Sequence, residues 1–140
     1  MSVRVSEREE SSLEFLKVLM DIEKWTLYKS ELAPKKFRFM INNQLVKHSA
    51  DAYSYAKMAN SVYVRDYETK QIREAYLIKA HSSLQAFVAQ LDVIYSICKS
   101  DFMTNKEHAR IAKESFEGLK LLKGLIKADK ERYKGITPLI

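Results

Sequence analysis

The first 117 residues of this chain contain no glycine and one proline, Pro34. Glycine and proline set most tight turns, so a chain nearly without them has few places for hairpins or phosphate-cradling loops. Such a chain folds compactly only as a few long helices joined by brief connections. The expectation is an all-α, up-down-up-down antiparallel four-helix bundle. Residues 1–140 form one domain, with about five residues at each end expected to be flexible.

The stops place four helices. Ser6 and Glu9 have capping-box spacing, so the first helix begins at Ser6 and runs through Leu13, Leu16, Met20 and Leu27 to about Glu31. Pro34 suits the first turn of the second. There Ile41, Leu45, His48, Ala52, Tyr55, Ala59 and Val62 follow strict four-three spacing, a coiled-coil-like seam. The third, from Tyr67 to about Lys99, repeats the pattern with Tyr76, Ala80, Ser83, Phe87, Leu91, Ile94 and Cys98, widened by Leu77, Leu84, Val88 and Tyr95. Thr104 and Glu107 make a second capping box for the fourth helix, which buries Ile111, Leu119, Leu122, Leu125 and Ile126 and stops before Gly135 and Pro138. Small residues Ala52, Ala56, Ala59, Ala80 and Ser83 permit a close approach of the second and third helices. Large apolar residues on several sides of the first and third helices exceed what four helices cover, which points to a homo-oligomer.

A single cysteine, Cys98, leaves no intramolecular disulfide and no cysteine-based zinc site, in keeping with a reducing compartment. Residues Met1 to Glu10 are charged, unlike a signal peptide, and no uncharged apolar stretch approaches the roughly 18 residues of a membrane span. A soluble, cytoplasmic protein without a membrane partner is expected.

Catalytic patterns are missing from the sequence. A di-iron bundle needs paired Glu-x-x-His motifs, and none occurs. His48, His81 and His108 are scattered; His48, in an apolar seam, reads as a hydrogen-bonded core or boundary histidine. Cys98 continues an apolar stripe and reads as a buried thiol. Walker and dinucleotide fingerprints need glycines that are not there. No enzyme activity, metal or cofactor is expected.

Charge is the sharper signal. The net charge is +6, and it divides as −2 over residues 1–31, +4 over 32–66, zero over 67–103 and +4 over 104–140. Lys106, Lys113, Lys120, Lys127 and Lys134 recur every seven residues, and Arg110, Lys123 and Lys130 fill the intervening steps. On a helix these eight cations share one broad face opposite the apolar one, able to follow a phosphate backbone. The same pattern describes a solvated lysine-rich surface partly compensated by Glu114, Glu117 and Glu131, and both readings stand open. A second basic cluster, Lys35, Lys36 and Arg38, flanks Phe37 and Phe39. Cation and aromatic interleaving suits single-stranded nucleic acid, yet burial of both rings under the bundle end is the preferred expectation. Tyr28, Tyr53, Tyr63, Tyr67 and Tyr133 lie off the seams or near helix ends and, as a group, suit an interface rim.

The stretch Leu121-Leu122-Lys123-Gly124-Leu125-Ile126-Lys127 resembles the closing helix of the four-helix-bundle proteins named after the intervening sequences of 23S ribosomal RNA genes. Pro34-Lys35 continuing through Gln44-Leu45 and Ser49-Ala50 is similar to that family's second helix, and Ala80, Ser83-Leu84-Gln85 and Leu91 to its third. The likeness covers about residues 13–134. Where family members commonly close helix two with Asn-Ile-Ala-Glu-Gly, this chain has Lys57-Met58-Ala59-Asn60-Ser61, without a counterpart to that glutamate. The resemblance implies a small non-enzymatic bacterial bundle that forms homo-oligomeric rings. One branch, the accessory variability determinant of diversity-generating retroelements, is a basic pentamer that associates with a reverse transcriptase and its template RNA.

The expected function is therefore a non-catalytic oligomeric accessory or scaffold that binds RNA or DNA through Lys106, Arg110, Lys113, Lys120, Lys123, Lys127 and Lys130, with Lys35, Lys36 and Arg38 as a second basic patch. The alternative is a protein-only adaptor or structural oligomer, working through the tyrosine rims and the acidic first helix.

Overall fold

The computed structural model describes residues 5–98 and 102–139, with side chains from residue 13 onward. Among the described residues all regular structure is helical. The first helix is Val5–Leu32, the third Tyr67–Cys98 and the fourth Asn105–Arg132. The second is one continuous rod that runs as Lys35–Ile41, passes through a π-helical stretch Asn42–Val46, and goes on as Lys47–Ser61. Its first residue follows Pro34, whose extended backbone leads the chain out of the preceding connection. The first helix is already helical at Ser6, the side chains of the expected Ser6 and Glu9 capping box are not among those described, and the expected end of the third helix at Lys99 lies outside the described residues.

The four helices form a bundle in which the first and third each pack against both the second and the fourth. The end of the first helix meets the start of the fourth, where Lys29 bridges Glu107 at 3.1 Å and the rings of Trp25 and Phe102 lie 6.0 Å apart. The start of the third meets the ends of the second and fourth, with Tyr55 stacked on Tyr76 at 6.3 Å and Arg73 bridging Asp129 at 2.6 Å. These are the pairings that antiparallel neighbours make. Arg73 also donates to the Ala59 carbonyl at 3.1 Å, so one buried guanidinium ties three helices together. Breaking such a pair from one side leaves a buried charge, at a cost of about 3–5 kcal/mol.

The second and third helices make the most extensive contact, through fully buried Ala52, Ala56, Ala59 and Ala80. Small side chains let the two backbones approach, as expected. The seam itself differs from the expected one. Buried positions run Ile41, Leu45, Ser49, Ala52, Ala56 and Ala59, so Ser49 and Ala56 replace His48 and Tyr55, which are half-buried. A π turn holds more residues than an α turn, so two successive four-residue steps stay on one face; Ala52 and Ala59 keep their expected places, and only the alternate positions move on by one residue. Val62 lies just past the helix end in extended backbone.

The first helix also turns a different face inward. Phe15, Leu16, Leu19, Ile22, Thr26 and Ser30 are buried, whereas Leu13 and Leu27 are exposed. Thr26 is accommodated because its hydroxyl donates to the Ile22 carbonyl at 2.7 Å, and Ser30 donates to Asn42 of the second helix. In the fourth helix Ile111, Ser115, Gly118 and Leu122 are buried, while Leu119, Leu125 and Ile126 are half-buried. Gly118 sits where three helices converge. A Cβ there would lie 2.9 Å from Leu84 Cδ2 of the third helix and 3.5 Å from Leu19 and Val18 of the first.

Candidate nucleic-acid interface

The fourth helix is pinned at both ends, and its orientation follows from that. At its start Thr104 and Glu107 form the expected reciprocal capping box. Burial acts to raise the Glu107 carboxyl pKa, but hydrogen bonds from Thr104 and Lys29 and the Lys29 charge outweigh it and hold it below the usual range. The indole N–H of Trp25 contributes to this lowering although it falls short of hydrogen-bonding geometry. At the other end Asp129 is fixed by Arg73. With Ile111, Ser115, Gly118 and Leu122 turned to the core, the opposite face must point outward.

That face carries Lys106, Arg110, Lys113, Lys120, Lys123, Lys127 and Lys130, all exposed. From Lys106 to Lys130 the rank extends about 36 Å at 1.5 Å per residue. Two of the neighbouring cations are partly neutralised: Arg110 pairs with Glu114 at 3.4 Å and Lys134 with Glu131 at 2.7 Å. Lys106, Lys113, Lys120, Lys123, Lys127 and Lys130 form no salt bridge with a described carboxylate. Glu117 lies one turn from both Lys113 and Lys120 yet bridges neither. Unpaired ammonium groups in a row are the arrangement that attracts a polyanion and releases its counterions.

The second basic cluster has a different character. Lys35, Lys36 and Arg38 are exposed, but the Arg38 guanidinium donates to the Ala33 carbonyl at 3.2 Å and the Glu31 carbonyl at 3.1 Å. It thereby satisfies the end of the first helix. Phe37 is half-buried with the Lys36 ammonium 4.9 Å from its ring centroid. Phe39 is 79% exposed, so the expected burial of both rings holds for only one of them. Phe39 follows Phe37 by two residues, a rotation of about 200° on a helix, so it points to the side opposite the half-buried ring. The second and fourth helices sit across the bundle diagonal, so the two basic clusters stand on helices that do not pack directly against each other.

One aromatic on the lysine face escapes a reading based on seams. Phe116 is 60% exposed, one turn from Lys113 and Lys120 and two turns from Lys123. Its position off the Ile111, Ser115, Gly118 and Leu122 stripe is the signal that identifies it.

The histidines do not converge. His48 is half-buried and makes no hydrogen bond with a described residue, unlike the expected bonded histidine. His108 stacks on Tyr95 at 4.2 Å with its Nε2 3.0 Å from Asp92. Burial, with the nearby Lys123 charge added, pushes the His81 pKa below its ordinary value. Among the described residues no three His, Cys, Asp or Glu side chains gather as a metal site. None of the described helices is long and apolar enough to cross a membrane. Of the rim tyrosines, Tyr28 and Tyr63 are exposed and Tyr53, Tyr67 and Tyr133 half-buried. Comparison with protein-family models, curated proteins and solved structures finds no match to this chain.

Proposed function

We propose that this protein is a non-catalytic, homo-oligomeric accessory or scaffold that binds RNA or DNA along the outer face of its fourth helix. The supporting observation is the row of exposed lysines that pair with no carboxylate among the described residues, Lys106, Lys113, Lys120, Lys123, Lys127 and Lys130. A face kept merely for solubility gains from mixed charge, whereas this one leaves its carboxylates off the centre of the row or unbridged. The resemblance to the retroelement accessory proteins supplies a reverse transcriptase as the protein partner to test, and a pentamer as the assembly.

Fluorescence anisotropy with labelled single-stranded RNA and DNA over a salt series tests the reading. If about five phosphates are neutralised, the log–log slope is about −3.5 on a single strand and about −4.5 on a duplex. Replacing Lys113, Lys120 and Lys127 with glutamate abolishes binding and leaves the helical circular dichroism unchanged. Undiminished binding by that variant removes this surface from consideration.

A second reading, a structural oligomer without a nucleic-acid ligand, draws on Ile72, Ile78, Val93 and Ile97, large apolar residues exposed along the third helix. It is favoured if the native protein shows no saturable, salt-sensitive binding.

A further inference from the structure

Resting on the nucleic-acid reading of the fourth helix, we propose that Phe116 is a base-stacking platform and that the ligand of this face is single-stranded nucleic acid rather than duplex. The ring is 60% exposed, and among the described residues no aromatic side chain stacks on it and no lysine or arginine lies over it. Its neighbours along the exposed helix surface are Lys113 one turn before it, Lys120 one turn after and Lys123 a turn beyond. An uncovered phenyl ring in a field of cations matches a ligand that brings a flat π surface and regularly spaced negative charge together. Single-stranded nucleic acid does so, since its bases are free to stack while its phosphates meet the ammonium groups. A duplex turns its bases inward and offers this ring nothing. Insertion into an anionic lipid surface requires a broad apolar face, and that face of the helix is spent on the core through Ile111 and Leu122, whereas a purely electrostatic lipid contact would leave the exposed ring without a partner.

Phe39 provides an internal control. It also is exposed three residues after an exposed lysine, Lys36, but it stands on the diagonal helix beside Arg38, whose guanidinium is engaged with carbonyl groups.

The experiment measures the full chain and its Phe116→Ala, Phe116→Leu, Phe116→Trp and Phe39→Ala variants against a labelled single-stranded oligouridylate, an RNA duplex of equal length, and phosphatidylserine vesicles. Phe116→Ala and Phe116→Leu are expected to weaken single-strand binding by about 5- to 100-fold with the salt slope unchanged, and to leave duplex binding as it was. Phe116→Trp keeps the affinity, and its emission is quenched on binding. Phe39→Ala binds as the native chain does. Since the ring is exposed, circular dichroism of all four variants should match the native protein. Equal affinity of Phe116→Ala and the native chain for the single strand overturns the stacking role while leaving the lysine face intact. So does an equal loss in Phe39→Ala, or full activity in Phe116→Leu. Tighter binding to vesicles than to the oligonucleotide overturns the choice of ligand. No binding of the native chain to either nucleic acid overturns the underlying reading, and the stacking role with it.

Discussion

Two glycines of the fourth helix carry different consequences for the same substitution. Gly124 is exposed, and a Cβ built there meets nothing within 4 Å. Gly124→Ala therefore removes backbone freedom from the unfolded chain without a clash, and urea denaturation should report about 0.5–1 kcal/mol of added stability. At Gly118 the added Cβ would press on Leu84 Cδ2, the far end of a side chain that can swing aside. Gly118→Ala is expected to be near neutral, because the helical gain offsets that small adjustment. Gly118→Leu cannot be accommodated this way, and overpacking at the junction of three helices should cost about 1–3 kcal/mol. A loss of more than about 1 kcal/mol in Gly118→Ala would mean that Leu84 is not free to move. Both glycines read alike in the sequence, as breakers inside a helix. Only the register of Ile111, Ser115 and Leu122 tells them apart, since it turns Gly118 inward and Gly124 out.

Helix limits and caps were legible because they rest on local chemistry. Thr104 with Glu107 stands where its residue types place it, Pro34 interrupts the helices one residue before the second begins rather than in its first turn, and a further cap stands at the third helix. There Thr69 donates from its backbone and its hydroxyl to Asp66, and these bonds hold the Asp66 carboxyl below its usual range. Helix phase was less legible. The first helix is apolar on most sides between Leu13 and Leu27, so periodicity selects no single face, and Thr26 and Ser30 occupy core positions that pattern reading assigns to leucine. The π turn at Asn42–Val46 shifted the second seam, and nothing in its Asn-Asn-Gln-Leu-Val composition announces it. The elements that pin the lysine face predict a pH response. His81 is held below its ordinary value by burial and then by Lys123, so the unfolded chain takes up its proton first and stability falls as pH drops below about 6.5. Glu107 has a lowered carboxyl, so its contribution is complete above the unfolded value of 4.5 and is lost as pH falls through and below it. Thermal midpoints between pH 8 and pH 3 should decline over both windows. His81→Gln should flatten the upper arm alone. Glu107→Gln should make the lower arm alone shallower, leaving the share that Asp66 supplies, because glutamine retains capping-box hydrogen bonding but not the charge that answers Lys29. A decline over pH 7–5 unchanged in His81→Gln assigns that arm to another group.

At the scale of the molecule, the basic face and a line of exposed aliphatic side chains fall on different helices. The basic face belongs to the fourth, whereas Ile72, Ile78, Val93 and Ile97 lie exposed along the third, where residues 82–91 carry no Asp, Glu, Lys or Arg. With a net charge of +6, two copies repel one another least where that uncharged surface faces its counterpart. Ala75, Ser82, Ala89 and Ser96 recur every seven residues beside these apolar side chains, so helix axes could draw close there as Ala52, Ala56 and Ala80 allow inside the bundle. Self-association through the third helix leaves the fourth accessible, which an oligomer acting as a nucleic-acid scaffold requires. Light scattering should accordingly return a mass well above the 16.3 kDa of one chain. The paired substitution Ile78→Lys with Val93→Lys sets ammonium groups into that surface and should reduce the mass to a monomer, with helicity retained because both side chains are already exposed. Anisotropy then separates the two properties. If each chain carries its own lysine face, the monomeric double variant keeps its per-chain contacts but loses the multivalent advantage, so binding to a long strand weakens far more than binding to a short one. A native protein that scatters as a single chain would leave the exposed third helix without this explanation, and equal losses on long and short strands would remove the assembly from the binding mechanism.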